Sequence, residues 1–313
     1  MRTHLIALAL LLGFVAPAGA QSALRIGDQK GNARAVMEAA GLLKDVPYKI
    51  EWKEFAAAAP LLEALSASAI DTGLVGDAPF TFAAAANVPV KAIAAIRQSQ
   101  EGLAILVPET SAVKTFDDLR GRKIATGRGS IGHQLIIAAL EARKWTAADV
   151  QIVFLAPSDA KIAYAQGAVD AWSTWEPYVS QEEVLFRSRR ILTGEGLTPG
   201  LSFAVASPSA ISDKRAELAD FVQRLAAARA WSKDHVDAYA EAWGRLMNVP
   251  ASVASNWLRR AKIRITPIDD EVAADEQSTI DLYVRSGLVG RKLVASDILD
   301  RSFAPDIVRG AGP

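Results

Sequence analysis

The chain has 313 residues, of which 50% are hydrophobic and 22% are charged. Its 35 lysine and arginine residues balance 35 aspartate and glutamate residues, so the sequence carries no basic excess that would favour a nucleic-acid partner. The absence of cysteine excludes disulfides, thiolate metal sites, cysteine nucleophiles, iron–sulfur clusters and a lipid anchor on an N-terminal cysteine.

Residues 1–20 have the pattern of a secretory signal peptide. A basic start at Arg2 precedes an apolar run at 5–15, and the small residues Ala18, Gly19 and Ala20 form an A-x-A cleavage site. We expect cleavage after Ala20 and a periplasmic mature protein, with an uncleaved anchor as the alternative. No later stretch reaches about 18 uninterrupted apolar residues, so no membrane span is predicted.

Short apolar strands alternate with helical segments after the signal peptide, which predicts α/β construction with parallel sheets. In chain order, strands are predicted at 24–27, 48–55, 72–75, 90–95, 103–107, 123–126, 150–155 and 171–174. The helices between them are predicted at 32–42, 60–68, 79–86, 132–144 and 158–166. From 213 onward helices dominate, at 217–235, 238–247, 252–260 and 271–286, and we expect this part to fold back onto the first half.

The pattern of the first half recurs in the second. The segment 25–32 reads basic, Ile, small, two variable residues, basic, Gly, polar, and the segment 123–130 reads the same way. The segment 69–72 recurs as 168–171 at nearly the same offset. We therefore predict two lobes of similar α/β construction, each beginning with a strand and a tight turn.

Four turns that open helices follow the predicted parallel strands, at 29–32, 76–79, 127–133 and 175–177. Ligands of open parallel sheets bind beyond the carboxyl ends of the strands. Helix N-termini there offer unpaired N–H groups and the positive end of the helix dipole. The sequence thus predicts a site for a small anion in a cleft between two lobes.

Residues 127–132 fit the pattern G-x-G-x-x-G between a strand and a helix. A dinucleotide site would need an acidic residue at the end of the next strand, whereas Asp149 precedes that strand. The glycines favour instead the approach of backbone amides to an anion, with Ser130 Oγ and the His133 ring as further donors. A plain strand–helix turn is the alternative.

Several other residues have two interpretations. Asp77, two positions before a proline, is either a ligand residue or the N-cap of the next helix. Trp175 is expected to form an apolar wall of the cleft, whereas Trp243 and Trp257 are expected to pack in the core. His235 is expected at the surface, and the sequence contains neither the histidine–carboxylate spacing of a metal site nor the motif of a serine hydrolase.

Residues 114–125, KTFDDLRGRKIA, resemble the K-T-x-x-D-L-K-G-K-x-(I/V)-A signature of substrate-binding proteins of ABC transporters. Residues 25–31 (RIGDQKG), 76–79 (GDAP) and 169–178 (VDAWSTWEPY) are similar to motifs of the aliphatic sulfonate-binding proteins in the nitrate/sulfonate/taurine group. These motifs occur in order, and the resemblance spans nearly the whole mature chain.

The resemblance implies an α/β, type II periplasmic-binding-protein fold, with two lobes joined by a two-strand hinge and the ligand cleft between them. The expected lobes are 21–106 with 205–313, and 107–204, and the expected hinge strands are 103–107 and 202–206. The protein is expected to capture an aliphatic sulfonate or related small organic anion and deliver it to a membrane permease and its ATPase. It is expected to act as a monomer, without a cofactor, metal or catalytic residue.

Ligand contacts are expected on all four turns. The resemblance, matched by position, implies Gln29, Gly31, Gly76, Asp77, Ser130, His133, Trp175 and Glu176. The helix starts add Asn32, Arg128 and Gly132. Lys30 and Arg128 supply positive potential, and a direct contact from either is left open.

This chain departs from the family pattern in three places. Asp28 stands where sulfonate binders of the family usually carry tyrosine, Ile131 and Gly132 replace small hydroxyl residues, and 197–200 lacks polar residues before the second hinge. Alternative functions are a binder of nitrate, taurine or an aromatic sulfonate or sulfate ester. Further alternatives are a periplasmic enzyme that uses Asp77, His133 and Glu176, and a sensor or partner-protein module.

Overall fold

The computed structural model describes residues 22–290 and 293–311, so the predicted signal peptide lies outside the described residues. The strands are β1 (Ala23–Gln29), β2 (Lys49–Phe55), β3 (Thr72–Gly76), β4 (Lys91–Arg97), β5 (Leu103–Val107), β6 (Lys123–Thr126), β7 (Gln151–Phe154), β8 (Ala171–Trp175), β9 (Arg189–Thr193), β10 (Leu201–Ala206) and β11 (Arg264–Thr266). The helices are α1 (Asn32–Ala39), α2 (Ala58–Ser66), α3 (Asp77–Ala85), α4 (Ile131–Ala142), α5 (Pro157–Ala165), α6 (Tyr178–Phe186), α7 (Pro208–Asp213), α8 (Arg215–Ser232), α9 (Val236–Met247), α10 (Ala251–Ala261), α11 (Asp270–Arg285), α12 (Ala295–Ile298) and α13 (Ala304–Ala311). Within these ranges, none of the helices has both the length and the apolar character needed to cross a bilayer.

The strands form two sheets, each of which with its helices makes one lobe. The first sheet has six strands in the order β11-β4-β10-β3-β1-β2, and the second has five in the order β7-β6-β8-β5-β9. β1 runs parallel to β2 and β3, and β6 runs parallel to β7 and β8. By contrast, β10 is antiparallel to β3 and β4, and β5 is antiparallel to β8 and β9. The sheets are therefore mixed and not parallel as predicted, because β5 and β10 each enter their sheet from the other lobe.

The chain passes between the lobes at 98–102 and again at 194–200. The expected hinge strands, 103–107 and 202–206, lie within the sheets, since β5 pairs with strands of the second sheet and β10 with strands of the first. The boundaries expected after 106 and after 204 consequently fall several residues earlier in the structure. The physical reason is that sheet pairing already begins at Leu103 and Leu201.

The sequence repeat corresponds to a repeated set of contacts. Asp71 precedes β3, and its carboxylate accepts a hydrogen bond from the Arg25 backbone N–H at 2.8 Å. Asp170 precedes β8 and accepts in the same way from the Lys123 backbone N–H at 2.9 Å. Both aspartates therefore hold the start of a central strand beside its parallel neighbour, as turn residues.

The central strands are buried on both faces. Neighbouring side chains of β3, Leu74 and Val75, belong to different apolar clusters on opposite faces of the first sheet. All five residues of β5 are buried, and they alternate between two clusters of the second lobe. The C-terminal helices pack mainly on the first sheet, so this lobe contains both ends of the described chain.

Candidate functional site

A cavity of about 470 Å³ lies between the lobes, where the parallel strands end. Its lining includes Gln29 at the end of β1, Gly76 at the end of β3, Phe154 at the end of β7 and Trp175 at the end of β8. Parallel strands of both sheets thus direct their carboxyl ends at one space, as the sequence predicted.

The cavity lining contains part of the predicted residue set. Seven of the predicted residues line it: Gln29, Asn32, Gly76, Arg128, Ser130, Trp175 and Glu176. Their contact with a ligand stays a prediction. The other four, Gly31, Asp77, Gly132 and His133, are outside the lining.

The His133 side chain packs in the protein interior. Its side chain is 1% exposed and packs between the rings of Phe82 and Phe154. The Gly129 backbone N–H donates to His133 Nδ1 at 3.3 Å. Burial and the nearby Arg128 cation lower the pKa of His133 to about 4, so the imidazole is neutral at pH 7. In this structure the ring packs in the interior, and its predicted role as a donor to the ligand stays a prediction.

Asp77 and the two glycines also have structural roles. Asp77 is the first residue of α3 and not its N-cap; its Oδ2 accepts hydrogen bonds from Gln134 Nε2 at 2.9 Å and Thr279 Oγ1 at 2.8 Å. A Cβ at Gly132 would lie 2.6 Å from a carbonyl oxygen of β8, so glycine allows α4 to pack closely on that strand. Gly31 has a left-handed backbone, φ 67°, which ends the turn before α1.

The predicted helix N-termini differ in whether a side chain of the protein already accepts hydrogen bonds from their backbone N–H groups. Asp28 accepts from the backbone N–H groups of Ala33 and Arg34, both at 3.0 Å, and so caps α1. Ser130 Oγ caps α4 at 3.2 Å, and Glu176 Oε2 accepts from the Ser180 N–H in the first turn of α6 at 3.0 Å. Three of the four predicted helix starts are therefore already occupied by the protein's own oxygens.

Three helix starts in the lining have no side-chain cap. They are those of α2, after Ala57, of α3, after Gly76, and of α5, after Ala156. The sequence interpretation predicted the helices α2 and α5 but did not place their starts in the site, because alanine carries no capping signature. The signal that could have revealed them is the absence of Ser, Thr, Asp or Asn at a helix start that follows a strand.

The charges in the cavity lining are asymmetric. Arg128 lies over the Phe154 ring, with Cζ 3.8 Å from the ring centroid, and Lys30 Nζ lies 5.9 Å from the centroid of Tyr178. Within the described part of the chain, neither cation belongs to an ion pair. Glu176, the acidic residue of the lining, is paired with Arg260 at 2.7 Å. The free charge of the cavity is therefore positive.

Glu176 belongs to a cluster that links the lobes. Arg260 on α10 also binds Glu183 and the Ser180 hydroxyl on α6, at 2.6 and 2.7 Å. Burial raises the pKa of Glu176, and the Arg260 cation opposes this shift. The carboxylate thus stabilises the contact between α10 and α6, and both of its oxygens are engaged.

C-terminal helices hold the turn that carries Lys30. Trp243 Nε1 on α9 donates to the Lys30 carbonyl oxygen at 2.8 Å. The carbonyl oxygen of Asn32 accepts from Arg229 Nη2 at 3.0 Å and from the Tyr239 hydroxyl at 3.1 Å. Arg229 also donates to the Asn32 side-chain oxygen, so this predicted ligand residue serves as an anchor for the turn.

Aromatic side chains of both lobes contribute to the lining. Trp243 and Trp257 form an edge-on pair with ring centroids 6.1 Å apart, and each reaches the cavity although almost all of its surface is buried. Phe154 and Trp175 contribute from the second lobe. The expectation of core packing for the two C-terminal tryptophans is therefore incomplete. Within 22–290 and 293–311, no group of three or more His, Asp or Glu side chains is placed to hold a metal ion.

Two α/β lobes that are linked by two crossings and enclose a positively charged cavity define the periplasmic-binding-protein class of fold. The alkanesulfonate-binding protein SsuA from Xanthomonas axonopodis, bound to MOPS, is similar with a TM-score of 0.84 and 28% identity, covering 91% of this chain and 100% of that one. SsuA from Escherichia coli, a periplasmic aliphatic sulphonate binding protein, gives a TM-score of 0.79 and 33% identity over 88% of this chain and 91% of its own.

In sequence, the chain is 34% identical to an aliphatic sulfonates-binding protein of Escherichia coli over 95% of this chain and 93% of the relative. A model of the NMT1/THI5-like family matches residues 40–237. The chain belongs to this family, which confirms the resemblance seen in its motifs. The desulfurization enzyme DSZB, at 16% identity and a TM-score of 0.66, shares the fold alone.

Proposed function

We propose that this protein is the solute-binding component of an ABC importer, which captures an organic sulfonate in the cavity between its lobes and delivers it to a membrane permease and its ATPase. The proposal includes export to the periplasm and action as a single chain. The observation that carries it is the convergence of three uncapped helix starts and two unpaired cations on the cavity between the lobes. The names of the relatives, aliphatic sulfonate-binding proteins, support the same ligand class.

The sulfonate group suits such a cavity because its three oxygens accept several hydrogen bonds while carrying one negative charge. A helix N-terminus stabilises an anion by about 0.3–1 kcal/mol, and by more where it is partly buried. A hydrogen bond to a charged group adds about 1.5–3 kcal/mol. Together, three helix starts and a few such bonds can reach the roughly −8 kcal/mol of a micromolar complex after the cost of association.

The arrangement gives no support to the enzymatic alternative. Of the three residues considered for it, His133 is buried and neutral, Asp77 is buried and bonded to Gln134, and Glu176 is paired with Arg260. None is free to act as a general base. The relatives named above are binding proteins, and the proposal follows them.

Arg128→Gln tests the proposal, because it removes an exposed cation from the lining and leaves the side chain long enough to cover Phe154. Calorimetric titration with 1-propanesulfonate should show affinity weakened about tenfold or more, the loss expected for a charge-assisted hydrogen bond. Ser130→Ala is a poorer probe, because Ser130 caps α4 and its loss costs about 1 kcal/mol of stability.

The matched control is Lys114→Gln, which removes an exposed cation of the same lobe outside the cavity. Its affinity should equal that of the wild type. Equal affinity of the wild type, Arg128→Gln and Lys114→Gln would show that Arg128 does not contact the ligand. The proposed function would be refuted if the wild type bound no sulfonate, with sulfate, nitrate and bicarbonate titrated as comparison anions.

A further inference from the structure

The cavity is larger than a short sulfonate requires. An apolar cavity of about 150 Å³ is enough to hold one benzene molecule, and the space between the lobes measures about 470 Å³. The anion donors account for one part of it, at the starts of α2, α3 and α5. The remaining volume is available to the organic part of the ligand.

The wall near the two lobe crossings is mainly hydrocarbon, with Gln98, Ser99 and Ser202 as its polar members. Side chains that line it there come from both sheets and from the C-terminal helices: Leu74, Ile96, Leu103, Trp175, Trp243, Trp257, Ala261 and Ile263. Trp175 pairs with Leu103 in the second sheet, and the Ser99 N–H donates to the Ala261 carbonyl oxygen at 2.7 Å, which brings these residues together at the crossing. Such a wall favours an apolar ligand tail that replaces water.

The tryptophan rings of this wall favour an aromatic tail over a saturated one. Trp175, Trp243 and Trp257 all belong to the lining. Aromatic rings attract one another in tilted and offset arrangements and gain nothing comparable from a saturated ring of the same size. The edge-on tryptophan pair offers the tilted geometry in which aromatic rings attract one another.

From these observations we infer that the cavity accepts and prefers an aromatic sulfonate, with the ring against the wall near the crossings. This inference rests on the proposed function and extends the ligand class beyond the aliphatic sulfonates that name the relatives. It uses the size and the apolar wall of the cavity, which are independent of the helix starts and cations that receive the anion.

Calorimetric titration of the wild-type mature protein with three sulfonates tests the inference. Benzenesulfonate should bind about tenfold or more tightly than 1-propanesulfonate, because it buries more apolar surface. It should also bind at least about threefold more tightly than cyclohexanesulfonate, which has a ring of the same carbon number without the π system. Trp175→Leu should reduce the preference for benzenesulfonate over cyclohexanesulfonate, and Lys114→Gln should leave it unchanged.

Each outcome separates the two proposals. Binding of 1-propanesulfonate together with equal or weaker binding of benzenesulfonate would overturn the aromatic preference and leave the sulfonate function intact. Equal affinities for the benzene and cyclohexane compounds would do the same. If none of the three compounds binds, the proposed function itself fails.

Discussion

Asp28 decides which helix starts are left for a ligand. Its buried carboxylate accepts the N–H groups of Ala33 and Arg34, and burial raises its pKa while Arg229 opposes the shift. A tyrosine, usual at this position in the sulfonate binders that the sequence resembles, could not fill the start of α1 with a carboxylate. In the proposed function, the anion is therefore left to the starts of α2, α3 and α5.

Lys30 and Arg128 should make the cavity hostile to a cationic ligand tail. Taurine and 1-propanesulfonate have nearly the same shape, but taurine ends in an ammonium group where propanesulfonate ends in a methyl group. Because the acidic residue of the lining, Glu176, is occupied by Arg260, the ammonium group would find no free carboxylate there. Competition titrations should show taurine about tenfold or more weaker than 1-propanesulfonate.

Lys30→Gln should reduce the difference in affinity between taurine and 1-propanesulfonate, since it removes one repelling charge. Lys114→Gln should leave this difference unchanged. Taurine that binds as tightly as 1-propanesulfonate to the wild type would show that the lining cations do not face the tail.

Glu276 is a buried acid whose titration should be visible in stability. Its Oε1 accepts from the Thr81 hydroxyl at 2.7 Å, and its Oε2 has no partner among the described residues. Burial and the neighbouring Asp77 raise the pKa of Glu276 well above its ordinary value of 4.5. Gln134, Thr279 and Tyr283 are the other polar groups of this buried region, and burial also raises the pKa of Tyr283.

Because the folded pKa of Glu276 lies above the unfolded one, its contribution to stability is full below about pH 4.5 and is lost as the pH rises through the folded pKa. Glu276→Gln keeps the neutral shape and removes the titration. Urea unfolding at pH 5 to 8 should show the variant gaining on the wild type by up to about 1.4 kcal/mol per pH unit. The exposed Glu63→Gln is the control, and a gain that does not change with pH would contradict the assignment.

At the scale of elements, periodicity predicted the buried strands well because most residues of each such strand are apolar. The strand predicted at 103–107 is β5 with the same bounds, and the helices at 238–247 and 252–260 correspond to α9 and α10 within two residues. The strand β11 was missed, since its three residues Arg264–Thr266 form an edge strand with a single buried side chain. Strand direction was also wrong for β5, because a local pattern does not tell from which lobe a strand arrives.

The site could be predicted in part for a similar reason. The sequence predicted that turns after strands surround the cavity, and they do. This was possible because the periodicity that predicts a strand also predicts where it ends. Whether a side chain in such a turn faces the cavity or the interior depends on long-range partners, as for Asp77 with Thr279 and for Trp243 with Lys30. Sequence spacing contains no information on those partners.

At the scale of the whole molecule, the lobes are in contact at points other than the two crossings. The Tyr178 hydroxyl donates to the Ala56 carbonyl oxygen of the other lobe at 3.1 Å, and burial raises the pKa of Tyr178 to about 12. Gly76 and Ile131 meet across the lobes so closely that a Cβ at Gly76 would lie 2.6 Å from Ile131 Cγ2. These contacts describe a closed arrangement, which a hinge motion at the crossings would open.

Gly76→Ala should therefore hinder closure. The backbone at Gly76, φ −68° and ψ 160°, suits alanine, so the clash with Ile131 is the main effect. Calorimetry should show 1-propanesulfonate binding weakened by about 1–3 kcal/mol, the range for overpacking, with thermal unfolding of the ligand-free protein nearly unchanged.

The double variant Gly76→Ala/Ile131→Ala should recover part of the lost affinity, because it removes the atom with which the new Cβ collides. If the double variant binds as weakly as Gly76→Ala, the added methyl group acts on the ligand directly and not on closure.

The uncapped starts of α2, α3 and α5 have one more consequence, which concerns how such a site changes in evolution. Their donors are main-chain amides, so a side-chain substitution at Ala57 or Ala156 leaves the N–H groups in place. An alanine scan of the cavity would for this reason overlook a large share of the affinity for the anion. The wall near the crossings, built from side chains, is free to diverge, so relatives can keep one anionic head group while exchanging the organic molecule attached to it.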